Sequence, residues 1–392
     1  RNIANGRDPL TIMPGQYTVS GDGHWFHHLR LTRGFDTGNN STRPYQPFIC
    51  SSQRNYWTRN WFTGPQGIWL ENADGTHDNA ICYNRWSTTI TGGGTWIGFM
   101  NKQITGSSLL HRNTIIARNY MLNDQAVSYN NAAMIHCNSA RPDPGPNKFW
   151  YFKGFKIEQN LLIVTATAGF DKAIYIKHGV ESFKENTILG PTTYLQRHGS
   201  IRYSPSNDTA STMTIPKYHL NYFGAYGGVK SRGVAFNGCG IDFRGNYIDS
   251  SDVGVELNNG WQFDNDYEAM YQAASDFLAV GNLVKAAIAS KTYQIGAHGT
   301  LKTDNGEDGY ASSQGYKIRN VNIWGHKSGT TAGSTTVDNV GQLFYNGETS
   351  RIMTSTCSFQ AGFGSYANPG LATQLSETDV GFQVPGQSGK AA

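Results

Sequence analysis

Short β-branched or aromatic runs recur along this 392-residue chain, each leading into an asparagine that is followed by another apolar residue. The unit appears as Ile116-Ala-Arg-Asn119-Tyr-Met121, as Phe155-Lys-Ile-Glu-Gln-Asn160-Leu-Leu162 and as Phe183-Lys-Glu-Asn186-Thr-Ile188. It returns as Tyr218-His-Leu-Asn221-Tyr-Phe223 and Ile241-Asp-Phe-Arg-Gly-Asn246-Tyr-Ile248, with weaker copies at Val280-Gly-Asn282-Leu-Val284 and Ile318-Arg-Asn-Val-Asn322-Ile323. From Asn119 to Asn282 the asparagines stand 41, 26, 35, 25 and 36 residues apart. The shorter intervals fit one coil of three short strands, and the longer ones a coil plus a loop; repeats at this period mark a solenoid. Asn tolerates a left-handed backbone, so it is expected to make the bend between strands and to stack into a hydrogen-bonded ladder.

A second family of segments alternates between apolar and polar residues and ends near glycine: Ala173-Ile-Tyr-Ile-Lys177, Thr193-Tyr-Leu-Gln-Arg197, Gly233-Val-Ala-Phe-Asn237 and Gly254-Val-Glu-Leu-Asn258. Period-two alternation turns one set of side chains inward and the other to solvent. Near the N-terminus, Leu10-Thr-Ile-Met-Pro-Gly15-Gln-Tyr-Thr-Val19 reads as strand, Pro-Gly turn and strand. One stretch has helical spacing: Tyr267, Met270, Tyr271, Ala274, Phe277 and Leu278 predict a short helical insertion near 267–288. The fold class expected is all-β: a single right-handed parallel β-helix over residues 1–392, with inserted loops. The pattern tails off after Asn346, and 361–392, rich in Gly, Ser, Ala and Gln, reads as a loosely packed end.

Composition sharpens this picture modestly. Gly is abundant at 46 residues and charged residues make up only 15 %, which suits a solenoid better than a helical bundle. A net charge of +4 without dense Lys/Arg clusters argues against a nucleic-acid partner and is compatible with a polyanion. No apolar run is long enough to span a membrane. The chain opens on Arg1 rather than Met, which suggests processing and export, to the periplasm or outside the cell. The cysteines Cys50, Cys82, Cys137, Cys239 and Cys357 are scattered, show no zinc-ligand spacing and read as small buried hydrophobes. Gly92-Gly-Gly94 lacks the Lys of a phosphate loop and reads as a turn.

Candidate chemistry gathers between Ile174 and Gly199. Lys177-His178-Gly179 and Arg197-His198-Gly199 each end an alternating segment, twenty residues apart, close to one tight coil. Two residues one coil apart on the same face lie roughly 5 Å from each other. Stacked cations repel, which favours a neutral Lys able to act as a general base. The same spacing also suits a solvated basic stripe.

The stretch from Ala173 to Gly199, followed by Asn221-Tyr-Phe-Gly224, Gly228-Val and Gly233-Val-Ala-Phe-Asn-Gly238, resembles the family 6 polysaccharide lyases, the alginate lyases and chondroitinase B. The resemblance covers about 100 residues, roughly 155–260. It implies that Lys177 removes the C5 proton of a uronate, that Arg197 protonates or stabilises the leaving O4, and that His198 contacts the sugar beside them. That family commonly neutralises the uronate carboxylate with calcium, held by an Asn and two acids shortly before the Lys. Here Phe170 and Lys172 occupy the acidic positions and Asp171 stands alone, too few oxygens for a hard cation. The expectation is a calcium-independent enzyme without a cofactor, with Lys172 as the neutraliser. Asn138 corresponds to the family's Asn. Ala235 stands where the family shows Arg, leaving Arg232 or Lys230 to supply that contact.

Further substrate-binding candidates are His178, Tyr226, Tyr247, Trp261 and Glu256. The tryptophans Trp57, Trp61, Trp69, Trp86 and Trp96 read mainly as core or coil-stacking residues. Asp242, Asp249, Asp252, Glu256, Asp264 and Asp266 follow the strip and suggest an alternative, a hydrolase using paired carboxylates in the manner of a phage tailspike. A third reading is a β-helix that binds glycans without cleaving them. The expected partner is an acidic polysaccharide, with oligomeric state open.

Overall fold

A computed structural model describes residues 10–12, 17–31, 48–63, 67–71, 76–87, 96–100, 113–124, 133–137, 151–165, 172–176, 179–190, 192–195, 216–224, 232–237, 241–250, 253–258, 277–285, 293–296, 316–319, 321–324, 327–329, 352–355 and 358–359. Among these residues every element is a β-strand, and every strand pairing is parallel. The chain visits three sheets in rotation. Leu10–Ile12 lies in sheet A, Tyr17–Val19 in sheet B, Trp25–His27 in sheet C, and Leu29–Leu31 back in sheet A. The order repeats until the three sheets hold eleven, ten and eleven strands, each strand bonded to its counterpart one coil later. The topology is consistent with a parallel β-helix. Pairing continues past Asn346, since Tyr316–Arg319 pairs with Ile352–Ser355 and Val321–Trp324 with Ser358–Phe359. The end at 361–392 lies outside the described residues.

The corner from sheet C to sheet A is the constant part of each coil. It consists of two residues in every coil from 59–60 to 281–282. The first of them carries the left-handed backbone: Arg59 (φ 55), Tyr83 (φ 59), Arg118 (φ 56), Gln159 (φ 56), Glu185 (φ 54), Leu220 (φ 57), Gly245 (φ 61) and Gly281 (φ 63). The bend therefore falls on the residue before each asparagine, not on the asparagine as expected. Asn has a different task. In Asn119 both the backbone N–H and Nδ2 donate to Oδ1 of Asn160, at 3.1 and 2.9 Å. Asn160 does the same to Asn186, Asn186 to Asn221, Asn221 to Asn246 and Asn246 to Asn282. The second amide proton goes to a carbonyl of an earlier coil, as from Asn84 to Trp57 and from Asn186 to Ile157. Each carboxamide is thus bonded at oxygen and nitrogen while buried, which offsets the ~1–2 kcal/mol that a left-handed non-glycine costs.

The ladder begins earlier than the repeats from Asn119 suggest. Asn60 and Asn84 are rungs. A shorter series occupies the opposite corner, where Arg54 and Asp78 take positive φ and Asn55 and Asn79 stack behind them. Asn322 is not a rung; it lies inside strand Val321–Trp324, opposite Leu278.

Inward positions form one continuous core. Phe62 stacks on Trp86 at 4.5 Å and Phe26 on Trp57 at 5.4 Å, and Phe183, Phe223 and Phe243 continue the series. Trp57, Trp86 and Trp96 are fully buried, in keeping with the core role read for them. Cys50 belongs to this core as a free thiol, and Cys82 is a half-buried free thiol.

The helical expectation near 267–288 does not hold where it is described. Phe277–Val280 and Leu283–Lys285 are strands of sheets C and A, separated by Gly281 and Asn282. A left-handed Gly followed by a ladder Asn fixes a corner there, and this outweighs apolar spacing that also fits a helix. Residues 267–276 lie outside the described residues. Among the described residues, no helix is long and apolar enough to cross a membrane.

Candidate functional site

Sheet B carries the segments with the candidate chemistry. Ile135–Cys137, Lys172–Tyr175, Thr192–Leu195, Arg232–Asn237 and Val253–Asn258 are five consecutive strands of it. Their inward set is the one read from sequence, but Tyr175 and Ala235 of the other set are buried rather than turned to solvent. Ile135, Ile174, Leu195, Val234, Phe236 and Val255 join the core. The intervening positions form a row on the other face: Ile49, Trp69, Gly98, His136, Tyr175, Tyr194, Ala235, Glu256 and Gln294 stand opposite one another in turn.

Two contacts shape the early part of this row. The Trp69 indole lies across Gly98, where an added Cβ would come within 2.7 Å of the ring. Glycine at 98 is what lets the indole lie flat there. One strand further, His136 meets the edge of Tyr175, with centroids 5.0 Å apart and planes at 87°. Both are largely buried. Trp69 stands among the tryptophans read from sequence as core or coil-stacking residues, and His136 was not singled out, although Ile68-Trp-Leu70 and Ile135-His-Cys137 show the alternation that places them here.

Lys172 begins its strand opposite Thr192. The pairing then shifts by one residue, so that Ile174 faces Thr193 and Tyr175 faces Tyr194. The twenty-residue offset expected for this pair of coils thus holds at Lys172 and is nineteen from Ile174 onward. Arg232 opens its strand opposite Val253, and Glu256 faces Ala235 and Gln294, so both belong to sheet B. Tyr247 does not: it is in sheet A, stacked on Tyr222 at 4.8 Å. Lys177, His178, Arg197, His198, Asn138, Tyr226, Lys230 and Trp261 lie outside the described residues. Their chain positions are nonetheless informative. Lys177 comes two residues after the end of Lys172–Tyr175, and Arg197 two residues after the end of Thr192–Leu195. Both belong to the connections from sheet B to sheet C, in consecutive coils.

The acidic cluster is dispersed. Asp242 lies in sheet C, beside His219 at 3.2 Å and bonded to Arg244; Asp249 lies in sheet A; Glu256 lies in sheet B. Asp252, Asp264 and Asp266 lie outside the described residues. The three described acids of this cluster thus lie in three different sheets, whereas a hydrolase needs two carboxylates flanking one bond. Among the described residues, no group of three or more His, Cys, Asp or Glu side chains could hold a metal ion.

No protein-family model matches the chain, and comparison with curated proteins finds no match.

Proposed function

We propose that this chain is a single right-handed parallel β-helix acting as a polysaccharide lyase, which cleaves a uronate-containing polysaccharide, alginate foremost, by β-elimination at sheet B. One observation carries the reading: the segments bearing Lys177-His178 and Arg197-His198 leave neighbouring parallel strands of one sheet at the same edge. Strands in such a sheet are ~4.8 Å apart, which is the reach needed for a base and an acid to address C5 and O4 of one sugar bond.

Lys177 takes the C5 proton. The electron pair forms the C4–C5 double bond, the C4–O4 bond breaks, and Arg197 supplies a proton or N–H donors to the departing oxygen. The nearby guanidinium favours the neutral amine of Lys177. Deprotonation at C5 builds negative charge on the uronate carboxylate, and Lys172 offsets it without a metal. His178, His198, Asn138, Arg232 or Lys230, and Glu256 supply sugar contacts around this centre. A polymeric substrate implies work in the periplasm or outside the cell.

Incubation with alginate, polyguluronate, polymannuronate or dermatan sulfate is expected to raise ultraviolet absorbance from a 4,5-unsaturated product, in EDTA as well as in calcium. Lys177→Ala is expected to abolish that signal and to leave the far-ultraviolet circular dichroism unchanged. New reducing ends without absorbance, or activity retained in Lys177→Ala, would overturn the reading. Activity lost in EDTA and restored by calcium would overturn the role of Lys172.

A further inference from the structure

A second ladder runs along the outer face of sheet A, on a different sheet from the proposed elimination centre. Arg30, Trp61, Arg85 and Tyr120 occupy one register position in four consecutive strands. Cations and rings alternate. The Arg30 guanidinium lies 4.5 Å from the Trp61 ring, and that of Arg85 lies 5.5 Å from both Trp61 and Tyr120. Arg30 and Arg85 flank the indole from the strand before and the strand after. Trp61 is pinned by donating Nε1–H to Ser87 Oγ at 3.0 Å. At the adjoining corner Arg59 and Arg118 are exposed, and Arg118 lies over Tyr83 at 5.4 Å.

Among the described residues, none of the ion pairs includes Arg30, Arg59 or Arg85. The Nε of Arg30 is buried without a hydrogen-bond partner. Arginines held over rings have already lost much of their rotamer freedom, so an anion that binds them costs little further ordering.

We propose that this stripe is a non-catalytic binding site for an acidic polysaccharide, with its carboxylates engaged by Arg30 and Arg85. Two features favour that occupant over a nucleic acid. First, the guanidiniums already cover the faces of Trp61, so the indole offers no platform for base stacking, on which single-strand binding depends. Second, the two cations are two strands apart, ~10 Å, which is about the two-sugar repeat of an extended 1,4-linked chain running along the coil axis. Alternate carboxylates on one side of such a chain meet successive arginines. The choice of a polyuronate as probe rests on the proposed lyase reading; the site itself does not.

The test is affinity electrophoresis of the full chain in native gels containing polymannuronate, dextran or oligothymidylate. Polymannuronate is expected to retard the wild type. Arg30→Gln/Arg85→Gln is expected to weaken that retardation about tenfold in apparent Kd, as the loss of two solvent-screened ion pairs implies. Its turnover of short uronate oligomers is expected to equal that of the wild type. Arg85→Gln alone, at an exposed position, is expected to give a partial loss and guards against misfolding of the double variant. Equal retardation of wild type and both variants overturns the proposal, as does stronger retardation by oligothymidylate than by polymannuronate. A chain that forms no unsaturated product but is held through Arg30 and Arg85 sinks the lyase reading and supports this one. The reverse pattern separates them the other way.

Discussion

Replacement of Asn160 tests the physical account of the fold most directly. Its Oδ1 accepts from the Asn119 N–H and Nδ2, and its own Nδ2 donates to Asn186 Oδ1 at 3.0 Å, Ile116 O at 3.0 Å and Glu158 O at 3.1 Å. In Asn160→Ala the buried Asn119 N–H loses its acceptor and the Ile116 carbonyl loses a donor. At ~1–3 kcal/mol for each orphaned buried group, the expected loss of stability is about 2–6 kcal/mol. Asn160→Asp keeps the accepting oxygen but turns the other edge of the side chain, now a carboxylate oxygen, toward three acceptors. It is therefore expected to be worse than Ala at neutral pH. Burial and three facing oxygens raise that carboxyl's pKa in the folded state, so its protonated form is favoured on folding. The penalty should shrink as pH falls toward the ordinary carboxylate range, where the unfolded chain also becomes protonated. Urea unfolding followed by circular dichroism measures both effects, and hydrogen exchange at the Asn119 amide reports the rung itself. An Asn160→Ala midpoint within about 0.5 kcal/mol of wild type, or an Asp variant that stabilises with rising pH, refutes the reasoning.

Three further outcomes follow from local geometry. Gly98→Ala places a methyl group within 2.7 Å of the Trp69 ring; it is expected to cost about 1–3 kcal/mol and to shift tryptophan fluorescence, and an unchanged spectrum would count against the packing described. Burial pushes the Cys50 thiol above its ordinary value of 9.0, so alkylation by iodoacetamide should be slow in the native protein and fast in urea. The folded state holds that proton longer than the unfolded one, so this contribution to stability is complete below about pH 9 and is lost as pH rises through the folded pKa. Bonding from the Gln53 backbone N–H, then from its side chain, holds Asp22 below 3.8. Its stabilising effect is present above that value and disappears as pH falls through the folded pKa; Asp22→Asn should flatten that acid limb in a urea-midpoint titration.

Much of the coil was legible because its strongest constraint is chemical and local. A buried carboxamide must satisfy both ends, and stacking identical carboxamides does so, so Asn at one corner marks each turn whatever the loop lengths. The position of the bend was misassigned for a related reason. Arg, Tyr, Gln, Glu and Leu are poor left-handed residues by propensity, and nothing in the single residue shows that the following Asn compensates them. The stretch 277–285 misled in the same way, since apolar spacing fits two periods and only the Gly-Asn pair separates them. Tyr247 was grouped with the strip by proximity in sequence. Adjacent strands in a coil belong to different sheets, so nearness along the chain predicts separation around it; the dispersal of Asp242, Asp249 and Glu256 over three sheets has the same cause.

The same geometry is what favours sheet B over the other faces for the proposed site. The ladder holds the corner from sheet C to sheet A at two residues, coil after coil. Every insertion must then fall at the other two corners, and both of these border sheet B. The connection from A to B ranges from 190–191 to 32–47, and that from B to C from 176–178 to 196–216. Sheet B is therefore the one sheet with variable segments along both edges. A regular face supplies fixed spacing, and its borders supply variable side chains, which is the division of labour that sites on rigid scaffolds show. By chain position, Lys177 and Arg197 fall within the connections at one such border. The Arg30–Tyr120 ladder lies in a sheet whose other border is invariant, which suits a repeating contact with a polymer better than catalysis at one bond.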